Sequence, residues 1–316
     1  MNKLKTIGLT ALGTTLIASS AFAADMSVSG NASISFDDTN SGKADRGNGF
    51  YMGDSINFKA SGEMDNGVSV TVKYEIDGGA LDDHNIVLGL NDMGTLEFNG
   101  HGSSLALGAV DDVMPQAYEE SFDIIAGSDA DVINGVSGNG SFKYTSPTFS
   151  GATVAIGYIN ASGGTGSGSN DTSYTDFSIK FVPEMVDGLT LGYAAGDSEE
   201  VTGTEQDDST MYIKYAYGPV TVGYQESERD INAATSDSES EAFGITYAIT
   251  DDFSVGYHEH IIDSETSTSD QESTGFSASY TAGSMTLAGA MNQSDNVGFV
   301  AGTDLEGYEF TLSFAF

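Results

Sequence analysis

The chain has no cysteine and no tryptophan, only four prolines, and only ten lysines and arginines among 316 residues. Without cysteine there is no disulfide framework, no thiolate nucleophile and no thiolate metal site. Ten bases stand against 47 acids, a formal net charge of −37, so no basic surface exists to displace counterions from nucleic acid. Long apolar runs are missing too. The longest, Ile7 to Ala18, follows Lys3 and Lys5 and precedes Ala21-Phe22-Ala23. It falls short of the roughly 20 apolar residues of a spanning helix and has the layout of a secretory signal peptide, with cleavage expected after Ala23. Residues 1–23 are therefore read as signal, and 24–316 as one exported domain.

What remains is β-like. Forty glycines, 15 tyrosines and 17 phenylalanines, with abundant Ser and Thr, suit strands and turns. Period-two alternation begins at Met26. Val28, Ala32, Ile34 and Phe36 share one face, while Ser27, Ser29, Asn31 and Ser35 share the other. Ile56, Phe58 and Ala60 alternate with Asn57, Lys59 and Ser61, and Val70, Val72, Tyr74 and Ile76 alternate with Thr71, Lys73, Glu75 and Asp77. Such alternation marks strands whose two faces meet different surroundings. Continued to Phe316, it gives sixteen strands of about eight to eleven residues, the length of a tilted membrane crossing.

The connections alternate in length. Met64–Gly67, Asn91–Gly94, Pro147–Gly151, Gly218–Pro219 and Ala282–Ser284 are tight and rich in turn residues. Asp37–Met52, Gly102–Asn139, Asp197–Asp208, Ser227–Ser240 and Ile261–Glu272 are long and acidic, with Gly78–Asp82 the one short member of that set. Long and short ends on opposite rims describe an outer-membrane barrel. The polar parity holds Lys59, Lys73, Glu75, Glu97, Lys143, Asp176, Lys180, Lys214 and Glu309. Sixteen strands enclose a lumen too wide for side chains to fill, so the polar parity belongs inside and the apolar one towards lipid. In lipid every backbone group needs a partner, and the sheet has to close. Tyrosines near strand ends (Tyr158, Tyr193, Tyr224, Tyr257 and Tyr280 among them) fit interfacial girdles. The expectation is an all-β, 16-stranded antiparallel transmembrane β-barrel with its third outer loop, 102–139, folded into the lumen.

Three stretches resemble known sequences. Tyr308-Glu309-Phe310-Thr311-Leu312-Ser313-Phe314-Ala315-Phe316 resembles the terminal strand that outer-membrane proteins present to the barrel-assembly machinery, with Phe316 as the signal residue. Ser141-Phe142-Lys143-Tyr144-Thr145-Ser146-Pro147-Thr148-Phe149-Ser150-Gly151 resembles the Tyr-x-Ser-Pro-x-Phe-x-Gly hairpin of Gram-negative general porins, and Leu90-Asn91-Asp92-Met93-Gly94-Thr95-Leu96-Glu97-Phe98-Asn99-Gly100 resembles their preceding hairpin. Scarce arginine and acidic, Gly-rich sequence look most like alphaproteobacterial porins. The resemblance implies a passive diffusion channel in the outer membrane of a Gram-negative bacterium and a homotrimer. It places Gly102–Asn139 as the loop that narrows the pore. The family sets an arginine cluster on the wall opposite this loop. Here Arg46 is joined by Lys59, Lys73 and Lys143 as the basic wall residues, and lysine is a more mobile point charge than guanidinium.

Asp111, Asp112, Glu119, Glu120 and Asp123 are the expected constriction acids. In a narrow aqueous passage, fixed negative charge concentrates cations and repels anions. The expected partners are small hydrophilic solutes and cations, outer-membrane lipid and lipopolysaccharide, the assembly machinery and two further copies of the chain, with no nucleic acid. No organic cofactor is expected, although acidic outer loops offer the oxygen donors that Ca²⁺ and Mg²⁺ take. His258 and His260 lie two apart on the lumen parity at an outer rim, and lack a recognisable third metal ligand. Two other classes compete. A secreted acidic, β-rich surface protein or adhesin would lack the terminal phenylalanine strand. An outer-membrane barrel hydrolase would need a nucleophile beside a base, yet Gly164–Gly168 departs from Gly-x-Ser-x-Gly at Gly166 and no catalytic residue is assigned.

Overall fold

The computed structural model describes residues 25–37, 49–102, 104–128, 133, 135, 139–160, 172–200, 205–232 and 237–316. The signal segment 1–23 and Arg46 lie outside these. Sixteen strands follow in chain order: β1 (Asp25–Asp37), β2 (Phe50–Glu63), β3 (Ser69–Asp77), β4 (Ala80–Gly89), β5 (Thr95–His101), β6 (Ser141–Thr145), β7 (Ala152–Ile159) and β8 (Thr172–Phe181). The second half comprises β9 (Leu189–Glu200), β10 (Glu205–Tyr217), β11 (Val220–Ile231), β12 (Ser238–Ala248), β13 (Phe253–Ser264), β14 (Gln271–Ala282), β15 (Met285–Asp295) and β16 (Leu305–Ala315). Each pairs antiparallel with its sequence neighbours, and β1 pairs with β16, so the sheet closes. At that seam Phe36 stands opposite Phe310, and Gly30 and Phe316 exchange backbone hydrogen bonds of 2.9 and 3.0 Å.

Closure leaves no edge strand, which is what a sheet in hydrocarbon requires. The apolar parity is the exposed one: Met52, Phe98, Ile156, Phe177, Ile213, Phe243, Phe276, Met291 and Phe310 all stand open. The buried parity is built from Ser35, Ser55, Asn99, Ser178, Thr210, Gln225, Ser240, Ser277, Asn292 and Thr311. This is the reverse of a water-soluble barrel.

Strand lengths differ from the expected range. β2 runs 14 residues and β6 only five. Acid runs expected as outer loops continue the wall instead: Asp197 pairs with Asp207, and Glu228 with Glu239. Asp and Glu are poor strand formers in isolation, but pairing to a growing ladder overrides that preference. The short link after β3 is Gly78-Gly79, with φ of 55° and 81°, the conformation of a two-residue hairpin turn with both central residues left-handed.

Candidate functional site

The connection between β5 and β6 is where the polar parity acquires a lining. Lys143 Nζ on β6 donates to Ser104 O at 2.7 Å and stands 3.4 Å from Glu97. Leu105 then packs on Ile159 and Tyr174, and Leu107, Val110 and Met114 pack on Ala194, Tyr212 and Ala242. Asp176 accepts the Leu107 N–H at 2.7 Å. Gln225 on β11 donates to the carbonyls of Val110 and Asp111 at 2.9 and 2.8 Å. Ser277 on β14 accepts the Ala117 N–H at 3.1 Å, Asn292 on β15 donates to Glu120 O at 2.6 Å, and Gln271 donates to Ser128 O at 2.8 Å. Backbone that leaves regular structure needs its donors and acceptors satisfied when buried, and here wall side chains do this.

Glycines let the segment lie flush. Gly223 and Gly244 are cross-strand partners, and His258 on β13 stands opposite both Gly244 and Gly275. A Cβ on Gly223 would meet Pro115 Cδ at 2.7 Å, one on Gly244 would meet Pro115 O at 2.5 Å, and one on Gly256 would meet Ala117 N at 2.8 Å. Side-chain-free strand positions mark close approach of other backbone.

Tyr118 anchors the far end. Its hydroxyl donates to Glu309 on β16 at 2.5 Å and lies 2.8 Å from Thr311 Oγ1. Tyr51 on β2 donates to the same carboxylate at 2.5 Å. Burial, then the bond to Glu309, pushes the Tyr118 phenol upward, so it stays a donor. Tyr118→Phe should weaken docking of this segment by about 1.5–3 kcal/mol, the contribution of a hydrogen bond to a charged group. Faster proteolytic cleavage within 104–128 of the folded barrel would register it; an unchanged rate would mean the latch carries no weight.

The five expected constriction acids all lie on this segment. One donor atom each of Glu119, Glu120 and Asp123 falls within 4.8 Å of the others. Gln116 Nε2 donates to Glu120, and the Glu120 N–H donates to Asp123 at 2.8 Å. Burial, reinforced by Asp112, raises the Asp111 carboxyl to about 7. Burial, reinforced by Asp123, raises Glu119 to about 7 and lifts Glu120 further. Asp112 is raised by burial and by Asp123. Asp111 and Glu119 therefore titrate near neutrality rather than standing as constant charges.

Of the basic wall residues, Lys73 is bridged to Glu75 at 2.6 Å and to Asp83 at 3.4 Å, and Lys59 is exposed directly opposite it across β2 and β3. Lys143 is committed to Glu97 and Ser104. A further pair missed in sequence joins Arg229 to Asp208 at 2.7 Å. His258 and His260 are not open rim residues. Phe122 covers them at ring-centroid distances of 6.0 and 4.9 Å, and Ser121 N–H donates to His258 Nδ1 at 3.1 Å. The missed docking residues had a faint signal: Ile159, Ala194, Ala242 and Ile262 are apolar residues on the polar parity.

A profile described as Gram-negative porin matches residues 8–264. No curated protein sequence matches the chain. Among solved structures it is similar to an anion-selective porin from Comamonas acidovorans, at 13% identity and a TM-score of 0.70, covering 93% of this chain and 100% of that one. It is also similar to the trimer form of OmpT from Vibrio cholerae, at 13% identity and 0.66, over 93% and 100% of the two chains. A mutant of the Rh. blastica porin aligns at 15% identity and 0.62, over 92% and 100%. Likeness at such identity concerns the fold, but the profile spans most of the sequence, and the chain belongs to the Gram-negative porin family.

Proposed function

We propose that the chain forms a water-filled channel for passive diffusion of small hydrophilic solutes and ions, with cation preference, narrowed by segment 102–139 lying across the lumen. One observation carries this reading. Leu107 is bonded to β8 and Tyr118 to β16, strands on opposite sides of the closed order. Eleven residues reach at most about 36–40 Å. Eight strands about 4.8 Å apart, tilted by about 40°, span roughly 50 Å around the outside. The inner route is shorter, which supports a path through the interior. The bonds from 104–128 described above fall on β6, β8, β11 and β13–β16, and this supports a passage beside β2–β5, with Lys59 and Lys73 facing the loop acids.

Cation preference rests on the excess of acid over base among the groups on the polar face and the loop, since Lys73, Lys143 and Arg229 already have acidic partners. The Comamonas neighbour is named anion-selective, but wall charges differ freely between chains of one fold. The trimer form of the Vibrio neighbour supports a homotrimer here. The exposed apolar parity suits lipid and lipopolysaccharide contact, Phe316 suits presentation to the assembly machinery, and Glu119, Glu120 and Asp123 offer oxygens to a hard cation. Reconstituted in a planar bilayer, the purified protein should give stepwise conductance, and a salt gradient should give a cation-selective reversal potential. Absence of steps would sink the channel; an anion-selective potential would sink the charge assignment.

A further inference from the structure

In the sequence His258 and His260 lack a third ligand, and the docked loop supplies candidates. The two residues are 2% and 4% exposed. His258 Nδ1 is engaged by Ser121, but His258 Nε2 and His260 Nδ1 have no hydrogen-bond partner among the described residues. Both residues line a cavity of about 10 Å³ enclosed between β11–β13 and the loop, and Asp111, Asp112, Ser227 and Ser240 line it with them. That is room for one water or one ion. Buried polar atoms left without partners call for an explanation, a bound ion being one.

We propose that this cavity binds one first-row transition-metal dication, Zn²⁺ in particular, through His258 and His260 on the wall and Asp111 or Asp112 on the loop. Two imidazoles with carboxylate oxygen make a donor set that zinc takes, whereas Ca²⁺ and Mg²⁺ prefer oxygen alone. A cation also offsets carboxylate charge in an enclosed space, which a water molecule does not. Metal-bound histidines usually give their second N–H to an oxygen. Ser121 Oγ lies 2.9 Å from His258 Nδ1 and can accept that proton once Nε2 carries the metal; the Ser121 N–H, now pointing at Nδ1, is the group that yields. Among the described residues, three donor atoms already lie within 4.8 Å of one another only in the all-oxygen sets Glu75–Asp82–Asp83 and Glu119–Glu120–Asp123. The histidine set therefore closes when a loop carboxylate swings towards the rings, and the bound ion then fastens loop to wall.

The test uses the full folded protein in detergent, equilibrated with Zn²⁺, desalted and assayed for metal. The wild type should retain about one zinc per chain, and both His258→Gln/His260→Gln and Asp111→Asn/Asp112→Asn should lose it while keeping heat-modifiable mobility on gels. No retained zinc in the wild type, or zinc retained by either double variant, overturns the proposal. Should a variant fail to fold, Co²⁺ loaded into the wild type decides: a visible d–d band of low-symmetry nitrogen and oxygen coordination is expected, and its absence overturns the site. None of these readouts depends on conduction, so their failure leaves the channel reading intact.

Discussion

Gly244→Val should release the loop from the wall and enlarge the single-channel conductance while leaving the barrel closed. The added Cβ would stand 2.5 Å from Pro115 O and 2.9 Å from both Pro115 N and Cδ. All three belong to a rigid ring or its backbone, so no side-chain rotation relieves the clash. The strand itself gains from the change, because valine suits a pleated wall better than glycine does. Overpacking costs about 1–3 kcal/mol, and here the cost falls on loop docking rather than on the ladder. It corresponds to a change of roughly 5–150-fold in the docked-to-undocked ratio. The neighbouring contacts then fail together, since Gln225, Ser277 and Asn292 each hold the backbone on either side of Pro115. Larger current steps, weaker ion discrimination and unchanged heat-modifiable gel mobility are expected. Wild-type conductance from a folded Gly244→Val barrel would mean that the loop does not bound the conducting path.

The same residues explain what the sequence discloses and what it hides. The wall is legible because strand periodicity is local: Val70, Val72 and Tyr74 against Thr71, Lys73 and Glu75 decide two faces with no knowledge of the partners. Counting such runs gives the number of strands, and the lengths of their connections give the rims. Segment 102–139 has no period in the sequence, and the conformation of 104–128 is dictated by Gln225, Gln271, Ser277 and Asn292, more than 100 residues away in sequence. These polar residues look like any others on a lumen-facing parity. Gly223, Gly244, Gly256 and Gly275 are also unremarkable singly among 40 glycines, and become a docking lane only when register sets Gly223 beside Gly244 and brings Gly256 and Gly275 onto the next two strands. The ends of the strands are lost for the opposite reason. Asp207, Glu228 and Glu239 have loop-like composition, yet a ladder already started carries them along as strand. The charge state of the loop acids is hidden most deeply, because it depends on how tightly five carboxyls are crowded.

That crowding should make ion selectivity depend on pH. Asp111 and Glu119 are both raised to about 7 by burial first and by neighbouring acids second, from an ordinary carboxyl range of about 4. At about pH 5 both are largely neutral in the docked loop, and at about pH 9 both carry charge. Reversal potentials in a fixed salt gradient should therefore move towards the cation limit as pH rises through about 7. Docking runs the other way. A carboxyl whose value is higher in the docked state binds more protons there than in the released state, between about 4 and about 7. The share of docking stability that Asp111 and Glu119 contribute therefore falls as pH climbs through that window and levels off above it. Amide hydrogen exchange in 104–128, corrected for its intrinsic pH dependence, should show protection declining over the same range. Asp111→Asn/Glu119→Gln should flatten both curves, holding the selectivity near its acid value and the loop near its acid protection. A wild-type reversal potential that stays constant from about pH 5 to about pH 9 would show that these two carboxyls do not face the permeating ions.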